Sequence, residues 1–403
     1  MKVLVQTLLA VIICTNLLAQ DIAQWRGKNR DGIYNETGLL KKWPDQGPML
    51  LWHFDDLGDG HASAAVTTSA VYTAGMVADK GFVYALDLTG KLLWKTEYGT
   101  EWTENWNGVR STPLVYNNKL YIFSSFGLLV CMDAKTGKIL WSVDTFKEYA
   151  GQNIQWGVTE NLLIDGDKIF CTTGGIDANV VALNKDDGKL IWKSKGNGEK
   201  SAYNSPCLIT LANRKILVSQ TEKSILGIDV SSGNLLWSVE QPNQWSVHAN
   251  TAIYKDGYLY CMSGYGKGGV MLKLDADGAR VTEVWRNNVL ENRIGSFVVL
   301  NDHIFGSSDK VKKLECIDWV TGKEMYSVNM VPGNIIAAEG LLYCYSEAGN
   351  VGLVEPKADS FNVISSFKVP FGANQHWSHL VINNKKLYVR HGTSLMVYDI
   401  AGN

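Results

Sequence analysis

The sequence predicts an all-β chain, an eight-bladed β-propeller with four-stranded antiparallel blades whose ring is closed by its two ends. Three observations predict it: a segment that recurs at a near-constant interval, an aromatic residue that closes each copy, and chain ends that supply complementary halves of one further copy.

The clearest copies read ALDLTGKLLW at 85–94, CMDAKTGKILW at 131–141, ALNKDDGKLIW at 182–192 and GIDVSSGNLLW at 227–237. Looser copies follow at 274–285, 316–326 and, much eroded, 354–367. In each, an alternating strand ends in Asp, Asn or Glu, whose side chain bonds the backbone of the turn; Gly supplies a positive φ; a second alternating strand ends in an aromatic. Between copies lie two further strand-like runs, for example Pro113 to Val115 and Lys119 to Phe123, on either side of the turn Tyr116-Asn117-Asn118. Each unit therefore holds the four strands of one blade. The aromatics stand at Trp52, Trp94, Trp141, Trp192, Trp237, Trp285, Tyr326 and Phe367, 41 to 51 residues apart, a period proper to propeller blades.

The ends argue for closure. The last copy, Val397 to Gly402, stops at its turn, whereas Pro48 to His53 is an outer strand with no hairpin before it. Together they complete an eighth blade and leave no open sheet edge. An open solenoid would need capping units instead.

Composition narrows the functional classes. With 46% apolar residues, 39 Gly and only 8 Pro, the chain can bury a large core. The net charge is −2, with no block of Lys or Arg to neutralise phosphates, so nucleic acid is not an expected partner. Residues 1–20 combine Lys2, an apolar stretch from Leu8 to Cys14 and the small residue Ala19, the parts of a secretory signal peptide. That stretch is shorter than the roughly 20 residues that span a bilayer, so no transmembrane segment is expected. Ile13 before Cys14 departs from the small residue of lipoprotein signals, so a lipid anchor is not expected either. The expected organisation is a signal peptide at 1–20, an N-terminal extension at 21–47 and the propeller at 48–403. Six further cysteines lie singly in apolar runs without C-x-x-C spacing, and are expected as buried free thiols rather than metal ligands.

The pattern Ala-x-Asp-x-x-Thr-Gly-Lys-x-x-Trp, nearly complete from Cys131 to Trp141, resembles the tryptophan-docking motif of PQQ-like, quinoprotein-type propellers. The stretch from Gln24 to Gly32, followed by Trp43-Pro44, resembles the N-terminal signature of secreted bacterial members, which implies a periplasmic location. The resemblance implies a fold more than an activity, because it embraces quinone-dependent alcohol and sugar dehydrogenases and also BamB-type scaffolds of outer-membrane assembly, which do no chemistry. For a dehydrogenase it implies PQQ with Ca²⁺ held by Glu, Asn and Asp, beside an adjacent cysteine pair. Glu160 and Asn204 stand at suitable places, but no Cys-Cys pair is present and no Asp stands at a matched position.

In a propeller the loops entering the innermost strands converge on the funnel. Aligned on the small or Pro residue that opens each strand, these entrances carry His61, Arg110, Tyr203, His248 and His376 three positions earlier, with Arg293 one residue out of register. Another carries Trp156 to Glu160. The expected site is a ring of His, Arg and Tyr in which Arg110 and Arg293 bind carboxylates, and His248 or Glu160 accepts a proton. Trp106, Trp156, Trp245 and Trp377 sit in the same loops, placed to stack on a flat cofactor or a sugar face. The bland alternative is a wet funnel lined by polar groups. His53, His303 and His391 are expected as surface or packing residues. The reading is a small-molecule site for an alcohol, sugar or quinone; a protein-docking scaffold in the cell envelope and a saccharide-binding propeller are the alternatives.

Overall fold

The recurrent segment folds as the outer hairpin of a four-stranded sheet. In the second blade Leu114–Tyr116, Lys119–Phe123, Leu128–Asp133 and Ile139–Asp144 follow one another, each pairing antiparallel with the next. The middle strands are buried along almost their whole length, whereas the outermost alternates between exposed and half-buried residues. Asp133 sets the turn, its carboxylate accepting from the backbone N–H and hydroxyl of Thr136 at 2.8 and 2.7 Å.

Gly137, at φ 72°, is required twice over. Its backbone is left-handed, and a Cβ there would stand 2.6 Å from Cε3 of Trp94, the closing aromatic of the preceding blade. The Trp94 indole N–H then donates to Ala134 O at 3.2 Å. Trp52, Trp192 and Trp237 donate in the same way to Leu88, Val230 and Gly278. Where Tyr326 replaces Trp, its hydroxyl reaches Lys357 O at 2.6 Å. A register shift just before the closing aromatic recurs in the outer hairpin of seven blades, a β-bulge that the sequence pattern does not announce; in blade 7 it falls between Val363 and Ser365, two residues ahead of Phe367.

The computed structural model describes residues 22–402, so the expected signal peptide lies outside the described residues. Eight sheets form the ring. Blades 1 to 7 occupy 65–100, 114–144, 163–194, 207–240, 253–287, 297–329 and 333–368 in chain order. Blade 8 joins Val381–Asn383, Lys386–His391 and Ser394–Asp399 to the N-terminal strand Met49–Phe54, with Trp52 opposite Val397. The chain is closed as the sequence predicts. The six described cysteines are buried and free. No helix among the described residues is long and apolar enough to cross a membrane.

The segment before the closing strand is built into the ring. Ile22–Ala23 pairs antiparallel with the inner strand of blade 2, and Ile33–Tyr34 pairs parallel with the inner strand of blade 7. The residues between them cross from one side of the funnel to the other. Arg30 fastens the crossing, donating to Asn161 O and Leu162 O of blade 3 at 2.8 Å each and to Pro206 O of blade 4 at 3.1 Å. Arg26 donates to Phe297 O of blade 6. Trp25 faces one cavity, while Gly27, Lys28 and Asn29 face another on the opposite side. The segment 22–34 is a plug that lies between the two cavities.

Candidate ligand site in the central funnel

Two kinds of side chain share the strand entrances, and their directions separate them. The first kind joins blades. Ser63 N donates to Thr112 Oγ1, Thr112 N to Asn161 Oδ1, and Asn161 N to Ser205 Oγ, at 3.0, 2.7 and 3.1 Å. Thr251 Oγ1 donates to Ser205 O, Asn250 Nδ2 to Asn292 O, and Ile335 N to Ser296 Oγ, at 3.0, 2.8 and 2.6 Å. Asn334 Nδ2 donates to Ser378 O and His379 N to Ser63 Oγ, both at 3.1 Å. These bonds link each blade to the next and return to the first. Polar residues recur at the entrances partly because eight sheets meeting at an axis leave backbone groups that adjoining blades must satisfy.

The second kind faces a cavity of about 210 Å³ above the plug. Five of the nine residues expected at a site line it: His61, Arg110, Trp156, Tyr203 and Arg293. Trp106 and Trp377 join them in the wall. Trp25 and His379 stand in edge-to-face contact, ring centroids 4.8 Å apart, and close its floor.

Four expected residues point elsewhere, each for a local reason. His248 is fully buried; Nε2 faces Glu222 O at 3.4 Å and Nδ1 takes the Ser263 hydroxyl, and burial pushes its pKa down to about 4. Glu160 turns back into its own blade and accepts from Thr172 N at 3.0 Å; burial raises its carboxyl to about 7, against the pull of the Thr172 bonds and Arg30. Asn204 accepts from Gln220 N at 3.0 Å and donates to Asn250 O at 3.3 Å. His376 stacks on His391 at 3.6 Å and shares a proton with Tyr345 OH at 2.6 Å, leaving its neighbour Trp377 to face the cavity. His391 is a packing residue, its nitrogens 2.8 and 2.9 Å from Phe371 O and Asn374 O.

Among the wall residues the two arginines differ. Arg293 is neutralised, with Glu347 at 2.7 Å and Asp309 at 3.3 Å. Glu347 Oε1 also accepts from the Trp377 indole N–H at 2.7 Å, which fixes that ring. Arg110 donates to Trp156 O, its Nε has no partner, and among the described residues no carboxylate forms an ion pair with it. Burial lowers its pKa to about 10 against the pull of Glu101, whose carboxylate is committed to Tyr98 OH at 2.6 Å and Ser125 Oγ at 2.5 Å. His61 is buried beside Trp377, ring centroids 5.1 Å apart, and neither of its nitrogens has a protein partner.

Trp25 and His379 are functional candidates that motif reading passed over. Trp25 lies in a stretch whose signature carries no chemistry of its own, and His379 served only to mark where the inner strand opens.

A family model described as outer membrane protein assembly factor BamB matches residues 50–328. The chain is 28% identical over 172 residues to the quinoprotein alcohol dehydrogenase PedH of Pseudomonas putida, a stretch covering 41% of this chain and 27% of that protein. It is 26% identical over 208 residues to the outer membrane protein assembly factor BamB of Kangiella koreensis, covering 51% and 48%. The matched stretches thus span less than half of these relatives. Among solved structures, BamB from Moraxella catarrhalis superposes with a TM-score of 0.61 at 16% identity, over 87% of this chain and 99% of that one. The quinohemoprotein alcohol dehydrogenase from Comamonas testosteroni gives 0.68 at 12% identity, over 95% and 81%. At such identities the superpositions establish the propeller and nothing finer.

Proposed function

The chain belongs to the PQQ-like family described as outer membrane protein assembly factor BamB, and from that premise we propose that it is a periplasmic propeller binding a small organic carboxylate in its plugged funnel. The observation that carries the reading is Arg110: a guanidinium on the cavity wall with no carboxylate partner and an unoccupied Nε. Arg26, Arg30 and Arg390 are also buried around the axis, bonded to neutral groups rather than to acids. Buried positive charge without an ion-paired acid favours an anionic ligand, and Arg presents the fork that a carboxylate fills.

A quinone of the PQQ type with Ca²⁺ would supply two-electron oxidation of a hydroxyl. The residues present do not fit the cation. Glu160 and Asn204, which would have to hold it, are turned to backbone groups outside the cavity, and the acids beside the cavity, Asp309 and Glu347, are engaged by Arg293. Arg110 anchors, the aromatic wall excludes water and His61 holds a hydrogen-bonding group in place.

A protein-docking role is the second reading, supported by similarity to outer-membrane assembly factors over half the chain. Calorimetric titration with sugar acids, aromatic carboxylates and PQQ, with and without Ca²⁺, separates the two. Binding of a carboxylate that falls at least about tenfold in Arg110→Met, with the melting temperature nearly unchanged, supports the ligand site. Failure of every carboxylate to bind, or wild-type affinity in Arg110→Met, overturns it and leaves the docking role.

A further inference from the structure

The wall asks for more than a carboxylate. Burial first, then Arg110 and Arg390, push the pKa of His61 down to about 3, so at neutral pH its ring is uncharged, with one N–H and one lone pair. Both are unmet. A carboxylate can accept from the N–H but offers nothing to the lone pair. Two hydroxyls answer both, one accepting from the N–H and one donating to the lone pair. Nδ1 of His379, on the floor, is buried and unpartnered as well.

The aromatics extend in an unbroken line. Trp377, Trp106 and Trp156 follow with ring centroids 6.2 and 5.3 Å apart, and Trp156 continues to Trp245 at 6.0 Å. Neighbouring rings meet at 39°, 88° and 44°, so the wall is curved. Trp106 and Trp245 are 40% and 37% exposed, which carries the line from the cavity to the outer surface. Trp106 and the lining Tyr203 and Tyr265 all hold left-handed backbone, at φ 57°, 61° and 56°. Bulky residues adopt that conformation at a cost, and here each occurrence aims a ring at one cavity.

We propose that the ligand is an acidic saccharide, whose terminal uronic acid carboxylate meets Arg110, whose ring hydroxyls meet His61 and His379, and whose following pyranose rings lie along Trp106, Trp156 and Trp245. The proposal rests on the carboxylate-binding reading and narrows it. A pyranose ring has an apolar C–H face to cover an indole and hydroxyls that donate and accept at its edge, whereas a flat quinone carboxylate lacks hydroxyl donors.

The test is calorimetry on the full chain with glucuronate, galacturonate and mannuronate, their trisaccharides, a neutral glucose trisaccharide and PQQ. The expected result is that a trisaccharide of one uronate binds about tenfold more tightly than its monomer, and the neutral trisaccharide at least about tenfold more weakly. Trp245→Ala, a change at an exposed ring, should lower affinity for the trisaccharide about fivefold and shrink its advantage over the monomer. If PQQ binds and no uronate does, or if length brings no gain, the saccharide assignment falls while the carboxylate site stands. If no carboxylate of any kind binds, both fall.

Discussion

A buried imidazole whose nitrogens the protein occupies serves the fold, and one whose nitrogens are free serves something else; His248 and His61 are the two cases here. His248→Ala should cost about 2–4 kcal/mol in denaturant unfolding, since it empties a packed site and leaves the Ser263 hydroxyl with Asn243 alone. The folded pKa of His248, about 4, lies below its ordinary 6.5. On acidification the unfolded chain therefore takes the proton first. The stabilisation is complete above pH 6.5 and is lost progressively down to pH 4, roughly 3 kcal/mol in all. The stability gap between wild type and His248→Gln should narrow over that window, and a constant gap would show that the ring is not held neutral. Glu160 runs the other way, because its folded pKa of about 7 lies above the ordinary 4.5. Its contribution is complete below pH 4.5 and is lost as pH rises to 7. Glu160→Gln should therefore gain on wild type by roughly 3 kcal/mol between pH 4.5 and pH 8 in the same measurement. Sequence alone reached the repeat position of these side chains but not their direction, which depends on loop conformation; at 376–379 the chain turns Trp377 and His379 inward and His376 outward.

The outer hairpin and the plug stand at opposite ends of what a sequence discloses. In the hairpin Asp133, Thr136 and Gly137 each answer a demand set within a few residues, so the motif can be read locally and then counted. The plug answers demands set by four carbonyl oxygens of three blades, with Arg30 and Arg26 reaching 131, 132, 176 and 271 residues along the chain. A carbonyl has no residue type, so nothing in the pattern marks those partners. The guanidinium carbons of Arg26 and Arg30 also stand 5.5 and 5.9 Å from the Trp25 ring, a stacking that the pattern does not mark either. Arg30→Lys keeps the charge and loses the fork. It should cost about 2–3 kcal/mol, because three buried carbonyls in two blades lose their donor. The floor should loosen with it, which hydrogen exchange at residues 24–32 would register as faster opening than in blade interiors. Unchanged exchange there would mean that the plug is held by its two strand pairings alone.

Closure of the whole ring rests on two fastenings. The strand Met49–Phe54 completes blade 8, where Ser394 Oγ donates to Asp55 at 2.7 Å across 339 residues of chain. Ahead of it, Leu40 N donates to Ile400 O at 2.8 Å, and Trp43, 1% exposed, packs edge-on to Tyr343 and Phe367 with its indole N–H on Val351 O. Trp43 thus ties the same segment to blade 7, while Trp52 docks on the turn of blade 1 through Leu88 O. The other seven blades carry their outermost strand on a covalent hairpin, so a lost docking contact there leaves the strand beside its partner. The closing strand has no such tether, and once it leaves, the ring must close again against the entropy of a very long loop. With two fastenings, either one alone holds the strand near its place, and that cost appears only when both fail. Trp52→Ala and Trp43→Leu together should therefore destabilise by at least about 1 kcal/mol more than the sum of the single changes, measured by denaturant unfolding. Trp43→Leu combined with Trp192→Ala, a docking residue on a hairpin-borne strand, should be additive within about 0.5 kcal/mol. Additivity in both pairs would mean that the segment 39–54 is not a cooperative latch and that the ring is held by blade-to-blade packing alone.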